Sequence, residues 1–187
     1  DMIINQEAEF KVSGGWSRHF MPASFKIKAT KNYEGQKSLN AQLFPNKLYN
    51  RYKQILIRNG GNDNSDTSGG RLIDALTQQI VISSGFMVDA QDMQPMHVFF
   101  NGEYMGLFNL RETSNRYHGT ANYGYDDDEM DAFEYSNQYV QTKGTKDAFN
   151  TWLKLSEQAA DSAGYAHLCE VVDMDEYTNY WAAVTYL

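Results

Sequence analysis

Apolar and charged residues alternate along Ser24-Phe25-Lys26-Ile27-Lys28, the period of two expected of a half-buried strand that turns Phe25 and Ile27 inward. Glu9 to Val12 and Gln54-Ile55-Leu56-Ile57-Arg58 read as further strands, the second halted by the turn formers Asn59-Gly60-Gly61-Asn62-Asp63-Asn64-Ser65-Asp66. The sharpest local signal is Met96 to Phe100, then Asn101-Gly102, then Glu103 to Arg111. Asn-Gly supplies the two positive φ angles of a type I′ turn, so a tight hairpin is predicted there. Leu72, Ile73, Leu76 and Ile80 share one face of a helix predicted over Gly70 to Ser83 and stopped by Gly85, and that face is expected in the core. From Thr145, an N-cap candidate, Phe149, Trp152, Leu153 and Ala160 form a second stripe. A last helix starts at Asp173, which stands in capping-box spacing with Glu176, and it carries Met174, Tyr177, Trp181 and Val184 on an apolar face. It reaches Leu187 without Gly, Asn or a basic closing turn, so the chain is expected to stop inside a helix.

Together these elements predict an α+β fold: an antiparallel-rich sheet with packed helices, sheet-rich over 1–142 and helical over 143–187. The longest apolar runs, such as Met96 to Phe100, are far below the roughly 20 residues that span a bilayer, so no transmembrane segment is expected. The 16 Lys and Arg against 24 Asp and Glu leave a net charge of −8, with no basic run to neutralise phosphates, which argues against nucleic acid as a partner. Thirteen Tyr, 10 Phe and 3 Trp supply ample core material. Cys169 is the only cysteine, cannot form an internal disulfide, and is expected to be a buried structural thiol.

Four scattered histidines with no i, i+4 pair offer no metal-ligand spacing. Asp126-Asp127-Asp128-Glu129 with Asp131 lacks the alternation and sixth-position Gly of a calcium loop, and reads as a solvated acidic turn leading into the next strand. Gly-x-Ser-x-Gly, Gly-x-Gly-x-x-Gly and P-loop signatures are all missing. Ser13-Gly14-Gly15-Trp16-Ser17-Arg18 is either a plain glycine turn or a set of backbone N–H groups and a guanidinium facing an anion. Arg58-Asn59-Gly60-Gly61-Asn62-Asp63, between strand and helix, either carries function or satisfies its own backbone. The adjacent Arg111-Glu112 either orients a ligand or closes an ion pair.

Arg58 to Asp63, followed by Asn101-Gly102-Glu103-Tyr104-Met105-Gly106-Leu107-Phe108-Asn109-Leu110-Arg111-Glu112, closely resembles the signatures of the spore coat protein H (CotH) kinase-like family. Gly14-Gly15-Trp16-Ser17-Arg18 with Ser24 to Ile27, and Val172-Asp173-Met174-Asp175-Glu176-Tyr177 to Tyr180, resemble its first and later motifs, so the likeness spans about Glu9 to Leu187. The resemblance implies an atypical protein-kinase-like fold that uses ATP and Mg²⁺ to phosphorylate hydroxyl groups of exported or surface proteins, and an extracellular or cell-surface setting. It departs at Ala23, where the family carries a lysine before Ser24. The family's aspartate-rich catalytic segment is also absent from the chain as given, which is therefore expected to be catalytically incomplete. If a nucleotide pocket is kept, the resemblance puts Arg18, Lys26, Arg58, Asn59, Asp63 and Glu112 near it, the basic groups facing phosphates and Glu112 as an orienting acid. The alternative is a structural or glycan-binding surface module with Tyr49, Tyr52, Tyr123, Tyr125, Tyr135 and Tyr139 as sugar platforms.

Overall fold

The computed structural model describes residues 2–187 apart from 20, 33, 61–62, 64–69, 87, 127 and 136–138. In chain order the strands are β1 (Ala8–Ser13), β2 (Ser24–Ala29), β3 (Leu39–Asn40), β4 (Arg51–Tyr52), β5 (Gln54–Arg58), β6 (Met93–Phe100), β7 (Glu103–Arg111), β8 (Ala132–Tyr135) and β9 (Tyr139–Lys143). The helices are α1 (Ile73–Ser84), α2 (Arg116–Tyr123), α3 (Asp147–Gln158), α4 (Ser162–Cys169) and α5 (Met174–Tyr186). The chain divides into two compact units, residues 1–80 with 90–124, and residues 81–89 with 125–187.

The first unit is built on a five-stranded antiparallel sheet of order β1-β2-β5-β7-β6. Its β6–β7 hairpin closes through Asn101 (φ 51°) and Gly102 (φ 86°), the left-handed pair that the Asn-Gly dipeptide predicts. Register sets Phe25, Ile57 and Leu110 side by side, and they join Ile55, Val98, Phe108, Tyr52 and the fully buried Phe44 in the core. Because successive side chains alternate across a strand, the opposite face carries Lys11, Lys26, Leu56 and Arg111 in one row and Arg58 with Asn109 in the next.

Helix α1 corrects the periodicity reading. The stripe expected in the core is exposed, Leu72 at 47%, Ile73 at 61%, Leu76 at 58% and Ile80 at 40%, while Ala75 is buried. Polar groups turned the helix. Asp74 pairs with Arg111 and Arg58, the Gln78 side-chain oxygen accepts from the Gln91 N–H, and the Gln79 amide donates to Asp92. Asp74 and Gln78 lie roughly opposite the apolar stripe on a 3.6-residue period, Gln79 lies at its flank, and small Ala75 between the two glutamines permits close approach.

In the second unit, β8 and β9 form a hairpin, and Phe133 meets Phe149 of α3 edge-on at 4.8 Å between ring centroids. The α3 N-cap is Lys146 rather than Thr145, although the Thr145 hydroxyl still accepts from the Asp147 N–H at 3.2 Å, and Ala160 falls outside the helix. Asp161 caps α4, and Asp173 caps α5 by accepting from the N–H groups of Asp175 and Glu176. Cys169 is exposed and sits beside the Tyr165 hydroxyl, because α4 turns Leu168 inward instead; the expectation of a buried thiol is overturned. Tyr177, Trp181 and Val184 of the predicted α5 face are exposed as well. No helix among the described residues is long and apolar enough to cross a membrane.

The orientation of α1 is open to test. Leu76→Gln should leave stability within about 0.5 kcal/mol, whereas Ala75→Leu should cost about 1–3 kcal/mol by overpacking. Urea unfolding of both variants checks this, and a large loss in Leu76→Gln would return the leucine stripe to the core.

Candidate functional site

The end of β5 and the start of α1 are tied together by short bonds. The Asn59 side chain, fully buried, accepts from the Ser24 hydroxyl at 2.7 Å and donates to the Pro22 carbonyl at 2.6 Å, while its backbone N–H donates to Ser24 Oγ at 2.9 Å. It pins the start of β2 to the end of β5. Asp63 Oδ2 accepts from the Ile73 N–H at 2.7 Å, which satisfies one of the orphan donors at the start of α1, and its carbonyl accepts from the Arg71 N–H at 3.1 Å. Asp74 Oδ2 receives two guanidinium groups, Arg58 Nε at 3.2 Å and Arg111 Nη1 at 2.5 Å, and Arg111 also donates to Gln91 Oε1. Arg111 is 1% exposed, so this shared carboxylate is what makes its burial tolerable.

A second polar cluster lies on the core side of the sheet. Glu112, 4% exposed, accepts from the Asp92 N–H at 2.9 Å and from the Asn122 amide at 3.0 Å, and it faces Lys47 Nζ at 3.6 Å. Lys47 also donates to Asn122 Oδ1, and His118 Nδ1 stands 4.0 Å from Glu112. Burial first, then the Glu112 and Asp92 carboxylates and Tyr49, push the Tyr52 phenol well above its ordinary range. The adjoining cavity, lined by Tyr49, Tyr52, Glu112, Tyr117 and His118, is about 20 Å³, room for about one water and no substrate.

The six residues named from the sequence therefore separate. Arg58, Asn59 and Asp63 gather around the start of α1. Glu112 lies across the sheet from Arg58, because Arg111 and Glu112 alternate sides; each closes an ion pair, but with a distant partner and not with the other. Arg18 is exposed, its Nε donating to the Gly14 carbonyl at 2.5 Å. Lys26 is half-buried opposite Lys11, two residues from the Lys28–Glu9 ion pair. Asn62, named with the same loop, lies outside the described residues. Lys47, Arg71, Asp74, Asp92, His118 and Asn122 were missed. Their partners are mostly far away in sequence, so no local spacing announces them. Of the tyrosines weighed as sugar platforms, Tyr52 is buried, Tyr49 packs edge-on against it at 5.3 Å, and Tyr123 and Tyr125 are exposed. The side chains of Tyr135 and Tyr139 lie outside the described residues.

Two predictions follow from the buried cluster. Lys47→Met leaves Glu112 without its cation and should destabilise the fold by on the order of 3 kcal/mol; chemical denaturation measures it, and a loss below about 1 kcal/mol would mean that the amide donors suffice. The raised Tyr52 pKa means that the folded chain keeps a proton which the unfolded chain releases near pH 10. This contribution is fully present below about pH 10 and is lost as pH rises beyond it. Tyr52→Phe should flatten that alkaline loss relative to the parent chain, and identical alkaline profiles would exclude Tyr52 as its source.

No curated protein matches the chain. A family model described as CotH kinase protein matches residues 10–187, a span that holds β2, the Asn59 tie, the arginine pair on Asp74, the β6–β7 hairpin and Glu112. By that match over nearly its whole length, the chain belongs to the CotH kinase protein family.

Proposed function

We propose that this chain is a nucleotide-binding domain of the CotH kinase type, taking ATP by its phosphates on the polar face of the five-stranded sheet. The observation that carries this reading is the charge on that face: Lys11 stands directly across from Lys26, with Arg58 in the next row. Like charges opposed across a ladder destabilise it unless an anion answers them. Beside them the Ser24–Asn59 tie holds the end of the face rigid, the condition for positioning a phosphate.

Among the described residues, no group of three or more His, Cys, Asp or Glu could hold a metal ion. Those residues assemble no all-protein ligand set for Mg²⁺, and no step is routed through it. Ala23, where the resemblance expects lysine, supplies no cation to a phosphate. The reading is thus binding without efficient transfer by this chain, within an exported or surface protein that acts on other exported proteins. Calorimetric titration of the chain with ATP, with and without Mg²⁺, should give saturable binding; no heat at millimolar nucleotide would overturn the proposal.

One feature of the second unit favours the alternative of a glycan-binding module. Trp152, Tyr177 and Tyr180 wall an open groove together with Asp89, Asp173 and Glu176, aromatic faces beside acceptors as sugar rings require. An array of polysaccharides should show binding that Trp152→Ala abolishes if this reading holds, and no bound glycan would remove it.

A further inference from the structure

Among the described residues, Arg71 is one of two non-glycine residues with a left-handed backbone, at φ 58°. The other, Asn101, is explained by its hairpin turn. A left-handed conformation costs an ordinary side chain about 1–2 kcal/mol, and at Arg71 two bonds from other segments hold it. Its N–H donates to the Asp63 carbonyl at 3.1 Å, and its own carbonyl accepts from the Asn109 side chain at 2.8 Å.

The side chain runs beside two glycines from separate motifs, and the first of them makes room for it. A Cβ on Gly60 (φ 99°) would lie 2.8 to 3.0 Å from Arg71 Cβ, Cγ and Cα, so only glycine leaves room for the arginine stem. At the far end, a Cβ on Gly106 (φ 113°) would lie 4.0 Å from Arg71 Nη1, which puts the guanidinium over the β7 backbone. The glycines of Arg58-Asn59-Gly60 and of Met105-Gly106-Leu107, 46 residues apart by their numbers, thus converge on one arginine.

That guanidinium has no carboxylate partner among the described residues. Asp74 is committed to Arg58 and Arg111, and Asp63 directs Oδ2 to the Ile73 N–H. A half-buried, positioned and unanswered fork of N–H donors suits a phosphate, which it meets with two parallel bonds. Lysine at this place would offer a point charge without the fork.

We propose that Arg71 is a phosphate-binding residue of this chain, its guanidinium gripping a phosphoryl group at the end of the sheet, where Gly60 makes room for its stem and Gly106 lies beside its tip. The proposal rests on the nucleotide reading above and deepens it by naming the group that takes the phosphate. The ligand is a phosphate chain, whether of a nucleotide or free.

The test is calorimetry with two probes, ATP and inorganic tripolyphosphate, on the parent chain, Arg71→Met, Arg71→Lys and a charge-matched control, Lys154→Met in α3. Arg71→Met should weaken both probes about tenfold or more, the loss of a charge-assisted bidentate contact. Arg71→Lys should fall between it and the parent, and Lys154→Met should bind as the parent does. If Arg71→Met does not fold, as read by circular dichroism, the Arg71→Lys affinities decide alone. Parent-like binding by the folded Arg71→Met, or by Arg71→Lys if it decides alone, overturns the assignment while leaving the nucleotide reading standing. Tripolyphosphate bound through Arg71 with no ATP binding supports the assignment and overturns the nucleotide reading. Binding of neither probe overturns both.

Discussion

The carboxylate of Asp74 is the constraint around which the first unit is arranged. Arg111 ends β7 almost fully buried, and a buried guanidinium is tolerable only where a counter-charge meets it. Asp74 supplies that charge from the first turn of α1 and accepts Arg58 from the neighbouring strand as well. One residue therefore joins two strands and a helix, and it fixes which side of the helix can face the sheet. Glutamine contacts further along, from Gln78 and Gln79, extend the same polar seam.

The cost of that arrangement is visible on the helix surface. A helix docked through Asp74, Ala75, Gln78 and Gln79 must turn Leu72, Ile73 and Leu76 outward. Hydrophobic burial is worth about 1.5–3 kcal/mol for a large side chain, yet it is outweighed here, because leaving Arg111 unpaired in the interior would cost more. On the other side of the sheet the same logic governs Glu112, which is met by Lys47, Asn122 and the Asp92 backbone. The strand alternation that separates Arg111 from Glu112 creates two polar centres from two adjacent residues, one facing the helix and one facing the core.

These centres also divide rigid support from available chemistry. The Glu112 carboxylate is met by its own partners and adjoins a water-sized cavity, so its work is to hold α2 and the end of β7 together. Among the described residues, Lys11 and Lys26 on the opposite face stand across from each other with no carboxylate paired to either. The geometry of that face is held from behind by Asn59 and Asp63, residues that act through backbone positioning more than through exposed groups.

Much of the sheet was legible in the residues themselves. The alternation in β2, the apolar run of β5 and the Asn-Gly turn of the β6–β7 hairpin are determined within a few positions, because the forces that set them, pleat periodicity and local φ preference, act over that range. Asp173 as the cap of α5 is of the same kind. The family was legible too, since its motifs are contiguous. The helix face, the exposure of Cys169 and the partners of Arg111 and Glu112 were not, because each depends on a charge or a packing surface in another element, or on which neighbour in a helix the core takes. The sequence by itself determined the elements, the α+β class and the motifs. Only the tertiary structure decided which charges meet, since Coulomb attraction and desolvation depend on distance and burial in space, and those are properties that separation along the chain does not contain.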